Sequence, residues 1–228
     1  MPPRLGTAAT RYSRRMRFVL ASASPARLSV LRSAGVDPVV RVSGVDEDAV
    51  TATLTDPTPA ELVTTLAESK ADAVAAAVAT EHPDAVVVGC DSMLSTGGEV
   101  VGKPATAEVA RRRWREMAGG SGELLTGHVV LRMRGGVVVE RARDHLTTTV
   151  RFGEPTEAEL DTYLASGEPL AVAGGFTLDG LGGWFVEGVD GDPSSVIGIS
   201  LPLTRKLLAR VNVSAVSLWT TSTAPASE

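Results

Sequence analysis

The chain has 228 residues, enough for one good-sized domain with a real core, and 43% of them are hydrophobic. Its 22 basic and 27 acidic residues leave a net charge of −5, which argues against nucleic acid as a partner. One cysteine, Cys90, excludes a disulfide scaffold or a Cys-based metal cluster and fits a reducing cytoplasm, and no apolar run is long enough to span a membrane. Residues 1–16 carry Arg4, Arg11, Arg14 and Arg15 without an acid or an apolar targeting core, and are expected to be a disordered extension.

Arg17 to Leu20 reads as a buried strand. It runs into Ser22, Ser24 and Pro25, with Ser24 at an N-cap and proline at the first helical position. Leu28, Leu31 and Ala34 follow at helical spacing, and Gly35 stops the helix. A helix N-terminus at a strand end, with two hydroxyls and Arg27 in its first turn, is chemistry for holding phosphate, and so points to a nucleotide.

A strand is expected at Val39–Ser43, then the acidic Asp46-Glu47-Asp48, suited either to a hard divalent cation or to helix capping in a solvated loop. Thr58-Pro59-Ala60-Glu61 is a capping box opening a helix to about Thr80. Lys70 sits on that helix's apolar stripe with Leu62, Leu66, Ala73 and Ala77, so it needs an anionic partner or must snorkel. Ala85–Cys90 is an uninterrupted apolar strand, which places Asp91 just beyond its carboxyl end, where open sheets bind ligands. A turn at Gly97-Gly98, then Gly102-Lys103-Pro104, sets a second lysine on a constrained loop.

Thr106 opens an Arg-rich helix ending at Gly119-Gly120, and about Glu123–Met133 and Val137–Thr149 flank Gly135-Gly136 as a long hairpin. Thr156 caps a helix to Ser166. Eight glycines then fall between Gly174 and Gly198, meaning backbone close to a ligand or tight turns, before Pro202 begins the last helix. The tail from Ser214 reads as flexible. Neither GxxxxGK[ST] nor a strand-borne GxGxxG is present, which excludes P-loop and Rossmann readings. Cys90 reads as a buried core thiol, and His82, His128 and His145 lack metal-ligand spacing.

The ordered segments LASASPAR, GVDED, ESKADA, VGCDS, VGKP, AGGFTLDGLG and GDPSSVIGISLP resemble the Maf family of nucleotide pyrophosphatases over about Arg17 to Leu208. The resemblance implies an α/β fold like the inosine-triphosphate pyrophosphatases: a twisted mixed sheet with flanking helices, two lobes around a central cleft, in one domain over 17–213. It implies hydrolysis of a nucleoside triphosphate to monophosphate and pyrophosphate with Mg²⁺ or Mn²⁺, removal of modified nucleotides, and a homodimer. Mapped onto this chain, Ser22, Ser24 and Arg27 hold phosphate, and Glu47, Lys70, Asp91 and Lys103 take the charged catalytic positions. Asp91 is then the proton acceptor, with Glu47 as metal ligand alongside it or as alternative base. Of the 22 basic residues only three are lysines, and two of them fall inside these motifs, which supports their role.

The pattern departs from the subgroup acting on dTTP and UTP at Ala26, Ser92 and Asp179, where arginine, threonine and glutamine are usual. A carboxylate at 179 only accepts hydrogen bonds, so it suits a base edge that presents donors. The sister subgroup acting on 7-methyl-GTP has an acid there but an aromatic residue where Ala26 stands. The alternative to an enzyme is a nucleotide-binding regulator of septum formation without turnover.

Overall fold

The computed structural model describes residues 16–220; residues 1–15 of the expected extension and the last residues of the tail lie outside them, while Met16, expected to belong to the extension, packs against the core. A mixed seven-stranded sheet runs through the molecule in the order β2-β1-β3-β5-β6-β7, with β4 on the edge of β3. β1 (Arg17–Leu20) pairs in parallel with β2 (Val39–Val40) and with the first residues of β3 (Ala85–Thr96). The rest is antiparallel: β4 (Glu99–Val101), β5 (Ser121–Arg134), β6 (Val137–Phe152) and β7 (Val186–Asp190).

The helices are α1 (Pro25–Ser33), α2 (Glu47–Ala52), α3 (Pro59–Val78), α4 (Ala107–Met117), α5 (Glu157–Ala165), α6 (Pro193–Ile197) and α7 (Leu201–Arg210). Their starts follow from local chemistry. Ser24, Thr58, Thr106 and Thr156 each accept the expected N-terminal amide, and both capping boxes are closed reciprocally. The two glycines of the β5–β6 turn, at φ 60° and 80°, form the left-handed two-residue hairpin that a side chain would disfavour.

Side-chain alternation divides the core. Val86, Val88 and Cys90 of β3 pack with α1 and α7 on one face, while Ala85 and Val87 pack with α3 on the other. Farther along the same strands, Leu94, Leu124, Val150 and Phe152 enclose a second lobe with α4 and α5, centred on Trp114. The expected twisted mixed sheet with flanking helices and two lobes is the architecture found.

Several expected boundaries move. β3 does not end at Cys90; it continues to Thr96, because β5 pairs with it residue by residue from Ala85 to Ser95. Asp91 is therefore inside a strand. It nevertheless stands at a gap: β1 leaves β3 after Val88 and β4 joins only at Leu94, so one edge of β3 is without a strand partner between them. β2 is shorter than expected, and Glu47–Ala52 is a helix capped by Asp46 rather than a loop. The buried stripe of α3 is Val63, Leu66, Ala67, Lys70, Ala71, Val74, Ala75 and Val78, whereas Ala77 is exposed; Lys70 keeps its inward place, but the stripe is rotated from the one expected. At the C-terminal end, Ala215–Leu218 forms a 3-10 turn with Leu218 buried, and Thr220 donates its amide to the Gly35 carbonyl, so packed chain runs past Ser214.

Candidate active site

The gap in β3 opens into a cleft of about 700 Å³ between the lobes. All ten residues singled out from the sequence line it: Ser22, Ser24, Ala26, Arg27, Glu47, Lys70, Asp91, Ser92, Lys103 and Asp179.

Asp91 and Ser92 are neighbours in an extended strand, so they face opposite sides of the sheet. Asp91 faces α3, where Lys70 Nζ lies 2.6 Å from its Oδ1 and 2.7 Å from Glu47 Oε1. The three-residue cluster joins β3, the middle of α3 and the first turn of α2. Lys70 and Asp91 are buried while Glu47 is about half exposed. Asp91 Oδ2 is buried and has no hydrogen-bond partner.

That reach depends on how close α3 lies to the sheet. Gly89 and Gly127 face it from β3 and β5, and an added Cβ would strike the carbonyl oxygens of Ala67 and Val63 respectively. Helix backbone therefore rests on strand backbone, and Lys70, one turn beyond Leu66, meets Asp91 two residues past Gly89.

Ser92 faces α1. There the Arg27 guanidinium donates from Nη2 to Ser92 Oγ at 3.1 Å, from Nη1 to Ser22 Oγ at 3.0 Å and from Nε to the Gly198 carbonyl at 2.8 Å. A guanidinium has five N–H groups, so these leave two for a ligand. Ser22 Oγ also accepts the Ser24 amide at 3.2 Å, which shapes the turn into α1.

Across the cleft, Lys103 is exposed and has no ion-pair partner among the described residues. Its turn is held by the Gly102 carbonyl, which accepts from Arg113 Nη1 at 2.8 Å and from the Gly174 amide at 3.2 Å. The next residue of α4, Trp114, donates from Nε1 to the Gly175 carbonyl at 2.8 Å. Helix α4 thus anchors two cleft loops, a role its Arg-rich sequence did not disclose. Asp179 is exposed on the glycine-rich loop, which Glu168 braces: its carboxylate accepts from Thr177 Oγ1 at 2.5 Å and from the Leu181 and Gly182 amides at 3.1 Å. Burial raises the Glu168 carboxyl and is the largest single effect, but these hydrogen bonds together outweigh it and bring the group below its usual range. Glu168 itself lines the cleft. Its only sequence signal is its place in Gly167-Glu168-Pro169, directly after a left-handed glycine.

Three cations, Arg27, Lys70 and Lys103, face four carboxylates, Glu47, Asp91, Glu168 and Asp179. The cleft is therefore not cationic on balance, and a polyanion held there needs a further cation. No group of three or more His, Cys, Asp or Glu side chains is gathered to hold a metal among the described residues. The pair Asp91 and Glu47, with an oxygen of Asp91 unpartnered, suits a hard ion that takes its remaining ligands from phosphate and water. Burial pushes the Cys90 thiol up to about 12, so it is a core side chain and not a nucleophile.

Comparison with known proteins agrees with this geometry. The profile of the family described as Maf-like protein matches residues 17–211. The chain is 76% identical over 205 residues to a nucleoside triphosphate pyrophosphatase of Saccharopolyspora erythraea, covering 90% of this chain and 97% of that protein. It is 65% identical over 203 residues to a protein of the same description from Nocardia farcinica, covering 89% and 96%. A third, from Rhodococcus jostii, is 62% identical over 207 residues, covering 90% and 97%. With its cleft, its Ser22–Arg27 turn and its paired carboxylates all inside the matched span, the chain belongs to the Maf-like protein family.

Proposed function

We propose that residues 17–213 act as one catalytic domain that hydrolyses a nucleoside triphosphate to the monophosphate and pyrophosphate, with a divalent cation. The observation that carries this reading is Lys70 clasped between Asp91 and Glu47 at a cleft that the Ser22–Arg27 turn also lines.

Ser22, Ser24 and the Ala26 amide, the one N–H of the first turn of α1 not already bonded among the described residues, seat the phosphates, and the two free N–H groups of Arg27 orient them. Glu47, beside Asp91, would hold Mg²⁺ or Mn²⁺, which would supply charge neutralisation on the phosphate oxygens and acidify a water. Asp91 accepts the proton of the attacking water at Oδ2 while Oδ1 stays paired with Lys70. The new bond joins that water's oxygen to the α-phosphorus as the bond to the bridging oxygen breaks. Lys103, free of partners among the described residues, and Arg27 stabilise charge on the departing pyrophosphate. Asp179 accepts from the base, which favours an edge with donors such as guanine N1–H and its 2-amino group, or a modified purine. The same reading includes a cytoplasmic homodimer acting on non-canonical nucleotides.

The experiment is pyrophosphate release against the common ribo- and deoxyribonucleotides, 7-methyl-GTP, pseudouridine triphosphate and inosine triphosphate, with Mg²⁺ or Mn²⁺. Asp91→Asn is expected to lose about 10³-fold in turnover while keeping its fold. Full activity in that variant, or nucleotide binding without pyrophosphate release by the native chain, overturns the assignment; the second outcome leaves a regulator.

A further inference from the structure

Beneath the cleft floor, polar groups are linked in an order that only one set of donors satisfies. The Ser195 carbonyl can only accept, so Thr126 Oγ1, at 3.1 Å, gives it its single proton. Ser92 Oγ lies 3.0 Å from Thr126 Oγ1 and must therefore be the donor of that pair. Arg27 Nη2 in turn donates to Ser92. The chain runs one way: guanidinium, Ser92, Thr126, Ser195 carbonyl. Each donor polarises the next.

Two residues along β5, and on the same face, lies His128. Its Nδ1 sits 3.0 Å from the Thr126 carbonyl and so carries the proton; its Nε2 accepts the Ser200 amide at 2.8 Å. Thr126 and His128 together pin the segment 195–200 at both ends. Between the pins, Gly198 offers the carbonyl that Arg27 Nε reaches. Thr126, His128, Ser195 and Ser200 are all fully buried, and neither Thr126 nor His128 lines the cleft.

We propose that Thr126 and His128 are positioning residues for Arg27, holding two of its three protein acceptors so that its free N–H groups are aimed before the phosphate arrives. The proposal rests on the reading that Arg27 holds phosphate. A long side chain fixed in advance loses little rotamer freedom on binding, which is where affinity would otherwise be lost.

The test is a double-mutant cycle. Thr126→Val replaces the hydroxyl by a methyl of similar size, and Thr126→Ser keeps it; each is made with Arg27 intact and in Arg27→Ala. Two readouts are taken with Mg²⁺: kcat and KM for the preferred triphosphate, and the Kd of inorganic triphosphate by calorimetry. With Arg27 present, Thr126→Val is expected to raise KM and Kd about tenfold, because a misaimed Arg27 forfeits about one charge-assisted hydrogen bond to the phosphate. In Arg27→Ala the same change is expected to matter by no more than about twofold, and Thr126→Ser to restore native values within about twofold. Should Thr126→Val not fold, His128→Gln, whose amide oxygen can take the Ser200 N–H, against His128→Leu makes the same comparison. Equal losses with and without Arg27, or no loss in either, overturn the proposal. Absence of turnover in the native chain would defeat the hydrolysis reading alone, since the Kd cycle still decides this one.

Discussion

Lys70 and Lys103 carry the same charge into the same cleft but stand in opposite environments, and their variants should part accordingly. Lys70→Ala strands the buried Asp91 carboxylate. Loss of about 3 kcal/mol in stability, seen in denaturant unfolding, should accompany loss of turnover. Lys103→Ala removes an exposed ammonium without an ion-pair partner among the described residues, so turnover should fall about 10²-fold with the unfolding midpoint unchanged. His128 gives a pH signature. Burial pushes its pKa down to about 4 from 6.5, and the Arg27 charge adds to this while the hydrogen bond to Thr126 opposes it. A folded pKa below the unfolded one means the unfolded chain binds the proton first. Its contribution, on the order of 3 kcal/mol, is thus complete above about pH 6.5 and lost as pH falls towards 4. Unfolding of His128→Gln measured from pH 4 to 7 should lack that share of the slope. None of this was legible in the chain, where His128 is one histidine without ligand spacing. Asp91, Lys70 and Lys103 were legible because ordered motifs carry them.

At the scale of elements, the caps were readable and the strand ends were not. Ser24, Thr58 and Thr156 act through hydrogen bonds within three residues, so local sequence decides them. The polar step at Asp91-Ser92 looks like a strand terminus, yet β5 supplies partners through Ser95, and pairing overrides local preference. Gly89 and Gly127 likewise read as ordinary glycines; only the packed helix shows why no Cβ fits. Gly127→Ala should push α3 outward, destabilising the protein by about 2–3 kcal/mol. Because Lys70 rides on that helix, turnover should fall in step, which urea unfolding and pyrophosphate release measured on one preparation would check.

Across the whole molecule, β3, β5 and β6, of 12, 14 and 16 residues, supply side chains to the cores of both lobes. Unfolding one lobe removes strand partners from the other, so calorimetric and van't Hoff enthalpies should agree in a single transition. Two separate transitions would show the lobes to be independent. The exposed pairs between α4 and α5, such as Arg115 with Glu157, add little, and moderate salt should shift that transition only slightly. The lobes were legible only through family likeness, since the pairings that make them are long-range. The continuous β5–β6 hairpin, at roughly 3.3 Å per residue, spans on the order of 45 Å and passes from one lobe to the other unbroken. Mechanically it resembles a torsion spring more than a hinge: any drawing together of the jaws has to strain the ribbon that joins them. A cleft built on such a ribbon should keep its width, and so tell ligands apart by size as well as by charge.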